Sequence, residues 1–182
     1  MMRIVGGKYR HRLIKWSGDM ATTRPTKDRI REAIFSALGN IEGFNALDLY
    51  AGSGAMGLEA LSRGCKKASF VDSSKDAIKI IKDNLVSLSI NENEYSLFNN
   101  KDIEAIDLFN KNNECFDLIF LDPPYIDEGF LNIINLLFNK DLLSKEAIIV
   151  VETNKIQDFS NYQFSKIKEY KYGEIRVYIL RR

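Results

Sequence analysis

The chain has 182 residues, with 26 Lys and Arg against 25 Asp and Glu, a formal net charge of +1 at pH 7. Hydrophobic residues make up 45% and charged residues 28%. These values exclude a disordered or collagen-like chain and fit one domain with a real core and a small appendage.

The N-terminus, Met1-Met2-Arg3-Ile4-Val5-Gly6-Gly7, has no apolar signal segment, and no later apolar stretch nears the roughly 18 residues of a membrane span. The expectation is a cytoplasmic protein. Residues 3–16 alternate loosely around Gly6-Gly7 and predict a small hairpin or extended arm. Residues 1–40 hold nine basic residues and three acidic ones, a surplus of six; the remainder holds 17 and 22, a deficit of five. A basic head on an acidic body suits contact with a polyanion, and a solvated Lys/Arg-rich hairpin is the plainer alternative. Pro25 disfavours helix at Arg24, Thr26 is a plausible N-cap, and Ile30, Ile34, Ala37 and Leu38 recur at helical spacing up to Gly39-Asn40.

Strands and helices then alternate. Strands are expected over 46–50, 68–72, 95–99, 116–122 and 147–152, and helices over 55–63, 75–88, 103–110 and 131–138. The tail, 163–180, reads as two strands joined near Tyr172-Gly173-Glu174. This order predicts a Rossmann-like, doubly wound α/β fold with a mostly parallel sheet and a closing antiparallel hairpin at one edge. Cys65 and Cys115 stand alone, which gives neither a CxxC pair nor a disulfide framework. The single histidine, His11, lies in the basic arm, so zinc catalysis and a Ser-His-Asp triad are not expected.

The first strand runs into Leu47-Asp48-Leu49-Tyr50-Ala51-Gly52-Ser53-Gly54-Ala55-Met56-Gly57, a literal GxGxxG, with Asp72 twenty residues beyond Gly52 at the end of the next strand. That is the dinucleotide fingerprint. Asp48, four residues before Gly52, opposes a pyrophosphate and favours a cation. S-adenosylmethionine (SAM) carries an ammonium and a sulfonium and no phosphate, so the acid favours SAM over NAD. Asp72 can take ribose hydroxyls. Asp102 can bond the exocyclic amine of adenine, with Ile103 on a ring face, although Asp102 also reads as a helix N-cap.

The fourth strand ends in Asp122-Pro123-Pro124-Tyr125. Two prolines remove two N–H donors, leaving a rim of carbonyls and a carboxylate, while Tyr125 offers a face on which a base can stack. Such a rim suits a substrate that donates through N–H. It points to methyl transfer onto the exocyclic amine of a nucleobase, with Asp122 and a proline carbonyl directing the nitrogen lone pair. A rigid turn with an exposed tyrosine is the alternative.

The chain resembles the RsmD-type methyltransferases. The resemblance spans Arg3-Ile4-Val5-Gly6-Gly7-Lys8-Tyr9-Arg10, then Arg24-Pro25-Thr26-Lys27-Asp28-Arg29-Ile30-Arg31-Glu32, the stretch 47–64, Asp122-Pro123-Pro124-Tyr125 and Tyr172-Gly173-Glu174. It implies SAM-dependent methylation of guanine N2 in bacterial small-subunit (16S) rRNA, a seven-stranded sheet, and an arm that contacts RNA. By resemblance Asp48, Gly52, Gly54, Asp72 and Asp102 fall in SAM-site positions and Asp122, Pro123, Pro124 and Tyr125 in the catalytic motif; Tyr50, Ala51, Ser53 and Ile103 beside them complete the candidate cofactor set. The candidate RNA contacts are Arg3, Lys8, Arg10, Arg12, Arg24 and Arg29. Residues 1–40 form the RNA-contacting arm and first helix and 41–182 the methyltransferase domain, with a monomer and no metal expected. His11 stands where relatives often have Gly, and Asp72 where Glu is common. The competing readings are a DNA adenine or cytosine amino-methyltransferase with the same motif, an NAD-dependent oxidoreductase, and a non-catalytic RNA-binding module.

Overall fold

Apolar runs alternating with amphipathic helices produce the expected layers. The computed structural model describes residues 2–16, 24–123 and 129–182, with residues 24–27 described by their backbone alone. In chain order the elements are β1 (Met2–Arg3), β2 (Leu13–Ile14), α1 (Arg24–Leu38), β3 (Asn45–Asp48), α2 (Ala55–Ser62), β4 (Lys67–Val71) and α3 (Lys75–Ser87). There follow β5 (Tyr95–Phe98), α4 (Asp102–Lys111), β6 (Phe116–Leu121), α5 (Gly129–Asn139), β7 (Leu143–Thr153), β8 (Lys166–Tyr172) and β9 (Ile175–Arg181). Seven strands form one sheet in the order β5-β4-β3-β6-β7-β9-β8. The first five are parallel neighbours; β9 runs antiparallel to β7, and β8 antiparallel to β9. The order reverses beside β3, which places a crevice at the carboxyl ends of β3 and β6.

Strand parity divides the core between the two faces. Leu118 and Phe120 of β6 pack with residues of the arm, α1, α2 and α3; Ile119 and Leu121 pack with α4 and α5. Several boundaries shift from expectation, and two of the shifts have a clear physical reason. Helix α1 begins at Arg24, two residues before the predicted cap. Proline has a helical φ, and in the first turn its missing N–H has no partner to lose, so it initiates a helix readily. Strand β7 begins at Leu143, not near residue 147. The pairing jumps from Phe116↔Leu143 to Leu118↔Ile148, so an irregularity absorbs the exposed Lys145 and Glu146, whose polarity reads as loop.

The arm is docked on the sheet's helical layer. Strands β1 and β2 pair antiparallel, and Ile4 and Ile14 are buried in the core shared with α1 and α2. Gly6 and Gly7 lie against the end of α2. The Lys8 N–H donates to the Ser62 carbonyl at 2.7 Å, and the Ser62 hydroxyl donates to the Gly6 carbonyl at 2.6 Å. A Cβ on Gly7, at φ +73°, would meet the Ser62 oxygen at 1.8 Å, so glycine is required there. His11 adopts φ 69°, the left-handed region that a glycine would enter without strain.

Candidate active site

The loop between β3 and α2 is shaped by its glycines and held by carboxylates. Gly52 and Gly54 have φ of 54° and 78°. Gly57 lies inside α2, where a Cβ would meet the Phe70 ring at 2.3 Å, so the third glycine brings helix against strand. The Asp48 carboxylate, buried at the end of β3, accepts from the Gly57 N–H at 3.0 Å. Asp72, just past β4, accepts from the Gly52 N–H at 2.8 Å and from the Ser74 N–H at 2.8 Å. Two donors of this loop and helix start, the Gly52 and Gly57 N–H groups, are thus already directed at the chain's own acids and not at a phosphate.

Burial pushes the Asp48 carboxyl up to about 7. The Gly57 N–H opposes the rise, and the charges of Asp122 and Asp72 add to it. A buried acid under this strain gains from a cationic neighbour.

Asp48, Tyr50, Ala51, Gly52, Ser53 and Asp122 line one cavity. Asp72, Asp102 and Ile103 lie outside its lining, and Gly54 caps α2 behind the loop. Tyr50 joins the two parts: its hydroxyl donates to Asp102 at 2.7 Å. The N-cap of α4 is Lys101, so Asp102 is not the cap; its other oxygen accepts from the Ile103 N–H at 2.8 Å. Ile103 is 48% exposed, an apolar side chain available to cover a flat ligand. Asp122 follows β6 and is exposed, and Pro123 is half-buried beside it. Pro124 and Tyr125 lie outside the described residues.

The cavity has further walls that motif reading does not select. Glu152, near the end of β7, lines it together with Trp16 of the arm and Arg31 of α1. The register Leu121↔Val151 puts Asp122 and Glu152 at the same level of adjacent strands. The rule that selects Asp48, Asp72 and Asp122, an acid at the carboxyl end of a parallel strand, selects Glu152 too. Arg31 is 3% exposed and belongs to a buried ion network: Glu59, wholly buried, takes the Arg63 Nε at 2.7 Å and the Val5 N–H at 2.9 Å, with the Arg31 Nε 3.5 Å away. The contacts of Glu59 with Val5 and Arg31 join residues far apart in sequence and leave no local signal, whereas the Arg63 pair is a local i,i+4 contact.

The candidate RNA contacts fall into groups. Lys8, Arg10, Arg12 and Arg29 are exposed. Arg3 also pairs with Asp28 at 3.4 Å, and Arg12 donates to the Ser87 carbonyl at the end of α3 at 2.6 Å. The Arg24 side chain lies outside the described residues.

The family model described as Conserved hypothetical protein 95 matches residues 2–181. The ribosomal RNA small subunit methyltransferase D of Haemophilus influenzae is 34% identical over 155 residues, covering 85% of this chain and 79% of the relative. The solved yhhF protein of Escherichia coli superposes with a TM-score of 0.84 at 28% identity, covering 100% of this chain and 97% of that one. SMU.776, solved in complex with SAH, shares the fold at 14% identity, with a TM-score of 0.72 over 91% of this chain and 52% of that one. The chain belongs to the Conserved hypothetical protein 95 family, that of the RsmD-type methyltransferases.

Proposed function

We propose that the protein transfers the methyl group of SAM to the exocyclic N2 amine of a guanine in small-subunit (16S) rRNA, as a cytoplasmic enzyme. The observation that carries the reading is the carboxylate-filled glycine loop. With the Gly57 N–H given to Asp48 and the Gly52 N–H to Asp72, the loop repels a pyrophosphate and suits a cation. That separates SAM from NAD.

The residues present fit SAM. Asp48 would face its charged methionine part. Asp72 retains lone pairs for the ribose hydroxyls, Asp102 would accept from the adenine amine, and Ile103 would cover a ring face. Bound SAM supplies an electrophilic methyl group. The chain's part is to place the acceptor. An exocyclic amine is a poor nucleophile because its lone pair is delocalised into the ring. Asp122 and the Pro123 carbonyl would accept the two N–H bonds and turn the lone pair toward the methyl carbon. Positive charge developing on nitrogen is met by the same acceptors, and the proton leaves afterwards to Asp122 or water. Support for an rRNA substrate comes from the relative at 34% identity and from the basic arm beside the cavity.

The test incubates protein and labelled SAM with undermethylated small subunits, naked rRNA and duplex DNA. Label in N2-methylguanosine of the rRNA is expected. Label on DNA alone would reject the rRNA reading in favour of a DNA amino-methyltransferase. Asp122→Ala should lower transfer by roughly 100-fold or more, the scale of a lost transition-state contact, with SAM affinity changed less than about threefold.

A further inference from the structure

The deficit of five charges assigned to residues 41–182 conceals a second basic segment. Residues 166–182 hold six basic residues (Lys166, Lys168, Lys171, Arg176, Arg181 and Arg182) and two acidic ones (Glu169 and Glu174), a surplus of four. Residues 41–165 then hold 11 basic and 20 acidic residues, a deficit of nine. The positive charge is gathered at the two ends of the chain.

The fold brings part of the second segment, Lys166, Lys168 and Arg181, to the face that carries the arm. In β8, Lys168 pairs with Ile179 and Tyr170 with Val177. Val177 and Ile179 belong to the core shared with the arm and α1, and Tyr170 and Tyr172 pack against that core. By strand parity Lys166 and Lys168 project to the same side as those tyrosines. Lys171 has the opposite parity and projects to the other face; it sits beside the turn, at the level where Thr153 pairs with Arg176. That level is one residue beyond Glu152, a wall of the candidate active site. At the other end of the hairpin, Arg181 donates to the Leu38 carbonyl of α1 at 3.0 Å, which fixes the hairpin against the helix that carries Arg29. Strand β8 is the sheet's outer edge, and Lys166, Lys168 and Lys171 are all exposed on it.

We propose that this edge hairpin is a second docking surface for the phosphate backbone of the substrate RNA, so that the RNA lies across both chain ends with the target base at the cavity between them. The inference rests on the rRNA reading above. The chemistry is that of a polyanion track: the ammonium groups of Lys166 and Lys168 beside two tyrosines able to meet a base or ribose, and that of Lys171 at the turn, near the level of the cavity. Lysines on an edge strand also discourage edge-to-edge pairing, so the test must separate the two roles.

The experiment compares wild type with the triple variant Lys166→Gln, Lys168→Gln, Lys171→Gln and with the three Lys→Arg replacements. It measures methyl transfer to small-subunit rRNA across a salt series, together with SAM affinity and sedimentation. If the surface binds phosphates, KM for RNA rises roughly tenfold at about 0.15 M salt and the log–log salt slope flattens by about two. The kcat at saturating RNA and the SAM affinity stay within about twofold, and the arginine variant matches wild type. A Gln variant with wild-type KM and salt slope overturns the docking role and leaves rRNA methylation standing. The same unchanged slope accompanied by self-association assigns the lysines to edge protection and likewise overturns it. Wild-type protein that labels DNA but no RNA overturns the rRNA reading, and this inference with it.

Discussion

Burial raises Asp48 to about 7, whereas in the unfolded chain it titrates near the ordinary value of about 3.9. Between these values the native protein holds a proton that the unfolded chain has lost. This contribution to stability is therefore greatest at low pH, declines as pH rises through that window, and leaves its full cost above it. The decline is about 1.4 kcal/mol per pH unit at its steepest. Asp48→Asn keeps an oxygen for the Gly57 N–H and removes the buried charge. It should stabilise the ligand-free protein by on the order of 2 kcal/mol at pH 8 and by almost nothing at pH 4. The same replacement should weaken SAM binding by tenfold or more at pH 8. In wild type, SAM affinity should strengthen as pH rises toward 7 and Asp48 ionises, then level off. Thermal melts with and without SAM across this range check both signs. An Asn variant that is less stable at pH 8, or that binds SAM as tightly as wild type, removes the carboxylate from this role.

At the scale of elements, the glycine loop and the basic arm share a support. Asn84 of α3 is 1% exposed. Its amide donates to the Ser53 carbonyl of the loop at 3.1 Å and to the Lys15 carbonyl of the arm at 3.1 Å, while its oxygen accepts from the Lys15 N–H at 2.7 Å. Asn84→Ala leaves these groups without their buried partner, at a cost of roughly 2–4 kcal/mol. Because one side chain serves both elements, SAM affinity and RNA KM should worsen together, whereas damage confined to the arm would move RNA KM alone. A variant that loses only one of the two functions would show that the elements are supported separately. This bridge also marks what was legible from residues. The centre of the sheet was readable because its strands carry short apolar runs whose alternate residues enter opposite cores, as Leu118 and Ile119 do. The glycine loop and Asp122 were readable because their chemistry is local. The arm's attachment was not, since Glu59, Ser62 and Asn84 meet it across 50 to 70 residues of sequence. The early start of β7 was hidden by polar residues in an irregular register, and Glu152, one residue before the end of β7, belongs to no motif that singles it out.

For the whole molecule, charge acts through position more than through its total of +1. The arm, α1 and the Lys166 and Lys168 positions of β8 put positive groups on one side of the sheet, and α4 and α5 cover the other. A single sheet covered by helices on both faces separates these sides by more than the Debye length of about 8 Å at physiological salt, so charges on the far side scarcely reach an RNA on the near side. This yields an opposed pair of variants. Asp107→Asn with Asp141→Asn, on α4 and just after α5, raises the net charge to +3. Asp141 has φ 52°, a conformation that asparagine also accepts, so the fold is spared. Lys8→Ala with Arg10→Ala lowers the net charge to −1; Arg12 is left in place because it also holds the end of α3. If total charge governed RNA engagement, the first pair would tighten it about as much as the second weakens it. Position predicts otherwise: RNA KM within about twofold of wild type for the far-side pair, and roughly a tenfold rise with a salt slope flatter by about 1.5 for the arm pair. Equal and opposite shifts in the two variants would reject a polarised docking face and return the matter to net charge alone.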